Sequence, residues 1–255
     1  MTLQAISSSV DEATKQAAPP RILRAKRPLR PSLLVSGNWW LVSPNEDPDT
    51  YCAVQNLANT LAYAGEAYKL KQIRAIAPSF YAAGILIDCE VVRSDGGVGV
   101  IDLLAIGGRL IHLTGEAAPL SLTHLRRPPC LDSKTQAREY LTFFCRALQG
   151  DEGTFFVTTD HGDLPGLIKR RGGAASGIDN LDFTLDLSRE EVGNTGCDSV
   201  PLWTAKALVA YGRKLFRASF ILRKSGQVEM DDDGELEGIG TNRQEMYVRG
   251  IRVLV

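Results

Sequence analysis

The sequence predicts an α+β fold: a largely antiparallel, meander-rich β-sheet system of about eight to ten strands with about three packed helices. Three observations carry this. Residues 84–92, 98–106 and 109–114 are apolar segments separated by Arg93-Ser94-Asp95-Gly96-Gly97 and by Gly107-Gly108. Asp-Gly and Gly-Gly accept the positive φ angles of tight hairpin turns, so the three segments read as a meander. Second, Leu181, Phe183, Leu185 and Leu187 alternate strictly with Asp182, Thr184, Asp186 and Ser188, the pattern of a half-exposed antiparallel strand. Third, two stretches place apolar residues at helical spacing: Tyr51, Val54, Leu57, Ala58, Leu61 and Ala62, then Ala137, Tyr140, Leu141, Phe144 and Leu148.

The chain begins with a basic leader over 1–31. Pro19-Pro20, Pro28 and Pro31 break any periodicity, and few apolar residues are present to drive ordering. Six basic residues against two acidic ones give it +4, which leaves about −5 for the rest of a chain whose formal net charge is −1. It has no continuous apolar segment of the kind a signal peptide needs. Residues 33–42 read as a strand. Trp39 and Trp40 are adjacent within it, so their rings point to opposite faces and only one can enter a given core. The other either lies under a loop or marks a contact surface for a partner.

Asp47-Pro48 is a helix start, a capping side chain followed by proline at the first helical position, and this helix is expected to run to about Ala75. Residues 119–129 read as a connector. The second helix runs over 132–149 with Asp132 as its cap, and 154–159 is a strand. The segment 161–180 is polar and glycine-rich and divides the chain into two subdomains: 32–160, carrying the meander, and 181–255, β-rich with one helix. That third helix starts at Asp198 or Ser199 and uses Leu202, Ala205, Leu208, Val209 and Leu215. Strands at 216–222, 227–230 and 246–255 complete the chain, with Asp231-Asp232-Asp233-Gly234 as an acidic turn.

Composition excludes some function classes. Balanced charge gives no global pull toward nucleic acid, which ranks third among the readings. No apolar run is long enough for a transmembrane helix, and no membrane partner is expected. Five scattered cysteines read as reduced thiols of a cytoplasmic protein. The acidic turn lacks the twelfth-position glutamate of a calcium loop. The Gly97-Val98-Gly99 run leads into a strand, so no helix N-terminus is there to hold phosphate. The three histidines lack zinc-module spacing. No cofactor or metal is expected. Cys145 lies on the apolar side of a helix, where a raised pKa makes a poor nucleophile.

Two function readings remain. The first is a non-catalytic module that binds a protein partner or another ligand, or forms a homo-oligomer, with Trp39 and Trp40 as the contact. The second is a hydrolase-like small-molecule enzyme. There His161 serves as general base beside Asp160 or Asp163, and Lys169, Arg170 and Arg171 hold an anionic substrate.

Overall fold

The computed structural model describes residues 30–63, 68–159, 167–169, 182, 184–190, 201–241 and 244–255. They build an α+β fold of two seven-stranded, antiparallel sheets and three helices. The first sheet grows from the meander. β3 (Gly84–Arg93), β4 (Val98–Ile106) and β5 (Arg109–Leu113) follow one another through turns at Gly96, Gly107 and Gly108, all at positive φ. β1 (Trp40–Leu41) and β2 (Tyr68–Ile76) extend it beyond β3.

A hairpin from the far end of the chain, β13 (Glu245–Val248) and β14 (Ile251–Leu254), completes this sheet. The free edge of β4 is shared: Gly99 and Val100 pair with β14, and Asp102 to Ile106 pair with β5. Helix α1 (Pro48–Tyr63) covers the outer face, where Val54 and Ala58 meet Ile73, Ile87, Cys89, Ile101 and Leu103.

The second sheet holds β6 (Gln149–Gly150), β7 (Gly153–Val157), β8 (Leu167–Lys169), β9 (Asp186–Arg189), β10 (Pro201–Tyr211), β11 (Lys214–Arg223) and β12 (Val228–Thr241). Their order is β6-β7-β10-β11-β12-β8, with β9 beside β7 on the edge of β10. Helix α2 (Ala117–His124) packs on β5, and α3 (Lys134–Ala147) lies between the sheets. The main core joins Leu86 and Leu104 of the first sheet to Tyr140, Leu141 and Phe143 of α3 and to Ala205, Phe220 and Leu222 of the second. Two polar groups in this core are matched: the Trp203 indole N–H donates to the Leu131 carbonyl at 2.8 Å, and the Tyr140 hydroxyl donates to the Gly226 carbonyl.

Several expected elements differ. The helix expected to reach Ala75 ends at Tyr63, and Tyr68–Ile76 is strand β2. The helix expected from Asp198 or Ser199 is strand β10. Its apolar run mimicked a helical stripe because both faces are covered in its second half. Trp203, Ala205, Ala207 and Val209 enter the main core, while Leu208 and Ala210 enter a smaller one. Packing on two sides thus overrides the helix propensity of its alanines.

The three aspartates expected in a turn lie within β12, where Asp231 and Asp233 are exposed. The Lys224-Ser225-Gly226 turn that the sequence also offers lies ahead of β12, with Gly226 at φ 86°. Of residues 33–42 only Trp40–Leu41 pair as strand, while Leu34 and Val35 are core. The 119–129 connector holds most of α2. Ser133, not Asp132, caps α3, in a reciprocal capping box with Gln136.

Candidate ligand cleft

The cleft begins with the turn between β13 and β14. Arg249 and Gly250 have φ 53° and 79°, a pair of left-handed residues that matches the right-handed twist of the strands they join. Arg249 is the one non-glycine residue at positive φ among the described residues, and such a position costs of order 1–3 kcal/mol. Gly250 is required by space as well as by conformation. A Cβ there would come within 2.5 Å of the His112 ring.

His112 projects from β5, and its Nε2 lies 2.7 Å from the Gly250 carbonyl oxygen. A carbonyl only accepts, so Nε2 carries the proton of this bond and Nδ1 is the acceptor of the neutral ring. Just past β5, the Gly115 carbonyl accepts the Gln149 N–H at 2.8 Å, and the Gln149 side-chain oxygen accepts the Tyr247 N–H. These contacts fasten the ends of β5, β6 and β13 together. They leave a cleft of about 860 Å³. Its lining residues include both signs of charge, Arg249 with Glu116 and Asp151, together with His112, Leu61 and Tyr247.

Beneath the cleft lies a buried charge network that Tyr247 reaches with its hydroxyl, which donates to Asp102 Oδ2 at 3.0 Å. Arg252 is fully buried. Its Nε and Nη2 grip Asp102 at 2.8 and 3.0 Å, and its Nη1 donates to Glu245 at 2.6 Å. Asp88 stands directly opposite Asp102 across β3 and β4 and is held by Arg74 and Arg30, each at 2.8 Å. Lys71 and Arg30 hold Glu90. Four carboxylates thus meet four cations, and the set is neutral as a group.

Burial pushes the Asp102 carboxyl up from its ordinary pKa, while the Arg252 charge and N–H groups pull the other way. Burial likewise opposes the charge on Arg252, but Asp102 and Glu245 hold its pKa well above the usual value. A network in which each of the four carboxylates meets a cation is a structural support for the cleft floor.

The residues singled out from the sequence are placed as follows. Trp39 is half-buried against the main core, and its indole N–H donates to the Val35 carbonyl at 3.1 Å. Trp40 is 45% exposed and stands beside exposed Leu41 on β1. Lys169 lies in β8, with its backbone paired to Ile239. Asp160, His161, Asp163, Arg170 and Arg171 lie outside the described residues. Among the described residues, no group of three or more His, Cys, Asp or Glu side chains is placed to hold a metal ion, and no helix is long and apolar enough to cross a membrane.

The sequence reading missed His112, Glu116, Asp151, Tyr247 and Arg249. It also missed the charge network, for which a signal existed. Asp88 and Glu90 interrupt the apolar run of β3, and Asp102 that of β4. Carboxylates inside strands expected to be buried call for cations from elsewhere in the chain. Compared with models of known protein families, with curated proteins and with solved structures, the chain matches none.

Proposed function

We propose that this protein is a non-catalytic ligand-binding module whose cleft takes a small zwitterionic molecule. The observation that carries this is the lining of the cleft: Arg249, Glu116 and Asp151 border one space, beside Leu61 and Tyr247. A molecule bearing a carboxylate or phosphate for Arg249 and an ammonium for the carboxylates complements it, and the volume lies in the range of small-molecule sites. The strained conformation at Arg249 favours the same reading, since strain of this kind gathers at ligand-contacting positions. Binding rather than covalent catalysis is favoured because the side-chain hydrogen bond of His112 goes to a backbone carbonyl and not to a nucleophile.

The test is a thermal-shift and calorimetric panel of amino acids and short peptides, with their N-acetylated and C-amidated forms as single-charge controls. Zwitterions should bind and both controls should bind at least about tenfold more weakly. Arg249→Gly should lose that binding while stabilising the free protein by about 1 kcal/mol through release of strain. A panel in which no zwitterion binds better than its blocked forms overturns the proposal.

A further inference from the structure

The most exposed large apolar side chains of the described residues sit together on α2 and the turn after it. Leu122 is 66% exposed and Leu125 is 83% exposed. They are three positions apart, on the side of α2 away from Leu120 and His124, which are buried. Their backbone is fixed: the N–H of Leu125 donates to the Ser121 carbonyl, and those of Arg126 and Arg127 to the Thr123 carbonyl. Arg126 and Arg127 follow directly, both exposed. The Arg127 guanidinium lies against the turn between β4 and β5, since a Cβ on Gly107 would come within 2.5 Å of its Nε. Exposed Arg109 follows that turn. Residues 117–131 contain no Asp or Glu, in a chain whose charges otherwise balance. So large an exposure also means that none of the described residues curves around the leucines. The feature is a knob rather than a groove.

We infer that this knob inserts into a protein partner that presents an apolar socket rimmed by carboxylates. Two leucines at i and i+3 are the anchors of a helix laid into a hydrophobic groove, and arginines beside them pair bidentately with carboxylates at the rim. A lipid surface fits less well. Two leucine side chains bury fewer carbons than one myristoyl chain, which alone gives only marginal membrane binding. Three arginines also fall short of the roughly four to eight basic residues that mark a lipid-binding cluster.

The experiment places a photo-crosslinking amino acid at Leu122 in the full chain within its host, with exposed Asn59 on α1 as the control position. The captured protein is identified, purified, and titrated against the wild type, the double variant Leu122→Ser with Leu125→Ser, and the double variant Arg126→Ala with Arg127→Ala. The expected result is one protein captured at 122 and not at 59. Its affinity should fall about 100-fold with the serine pair, and about tenfold with the alanine pair, which should also flatten its salt dependence. Both variants should retain the wild-type melting temperature, because the altered side chains are exposed. Three results overturn the inference. One is no capture above the control, and another is a captured protein that binds the serine pair as tightly as the wild type. The third is sedimentation of the wild type, but of neither variant, with vesicles containing 30% phosphatidylserine, which assigns the knob to lipid.

Discussion

Arg252 shows what a buried charge demands of its neighbours. Its guanidinium has no contact with water, and three of its N–H groups go to Asp102 and Glu245. Arg252→Met would leave both carboxylates buried and underpaired, at a cost of about 3–5 kcal/mol. Tyr247→Phe removes one donor to a charged acceptor and should cost about 1–2 kcal/mol. Urea unfolding at pH 7 reads both, and a loss below 1 kcal/mol for Arg252→Met would refute the network's structural role.

His124 carries a pH dependence. Its ring accepts or donates one bond, with the Tyr81 hydroxyl at 2.6 Å, and it stacks edge-on near Tyr140. Burial lowers its pKa from 6.5 to about 4. Between those values the unfolded chain takes up a proton that the folded chain refuses. The neutral ring's contribution is therefore complete above pH 6.5 and is lost as pH falls toward 4, by about 3 kcal/mol in all. His124→Gln should flatten this part of the stability profile relative to the wild type between pH 7 and pH 4.5. Parallel profiles would show that the histidine does not carry it.

At the level of elements, the capping box of α3 separates neighbouring residues by role. Ser133 accepts the Gln136 N–H, and the Gln136 side chain accepts from the Ser133 N–H. Ser133→Ala should lower stability by about 1 kcal/mol, whereas Asp132→Ala should change it by less than about half of that. Equal effects on the unfolding midpoint would contradict the assignment. What was legible in the sequence at this scale were elements with one buried face or a demanding turn. The meander announced itself through Gly96, Gly107 and Gly108, and α3 through its apolar stripe. Strand β10 was not legible, because its second half, from Ala207 to Ala210, is covered on both faces and displays no alternation. The break between α1 and β2 was hidden because Leu70 and Ile73 prolong the helical spacing.

The cleft was less legible than the fold, for a reason that belongs to the whole molecule. His112 meets Gly250 across 138 positions, and Tyr247 reaches Gln149 across 98. Each residue alone is an ordinary strand or turn residue, and only the closing of the first sheet by β13 and β14 makes them a site. Trp39 and Trp40 do part, one against the main core and one exposed, but only Trp40 is in a strand, so alternation along a strand is not what separates them. The described part of the leader was not legible, since Arg30 is tied to Asp88 on β3 rather than standing in solvent.

The place of β14 beside β4 also sets a timetable. Asp102 and the arginine that neutralises it are 150 positions apart. At a synthesis rate of roughly 5–20 residues per second, about 8–30 s pass between their appearances on the ribosome. Throughout that interval the meander can form its turns but cannot bury Asp102 with its charge answered, and the Gly99–Val100 part of one β4 edge has no strand to pair with. A nascent chain in this state offers an open strand edge to any neighbour, the circumstance in which intermolecular pairing competes with folding. Yield during expression should therefore depend on how fast residues 103–252 follow, even though the finished protein hides every trace of the wait.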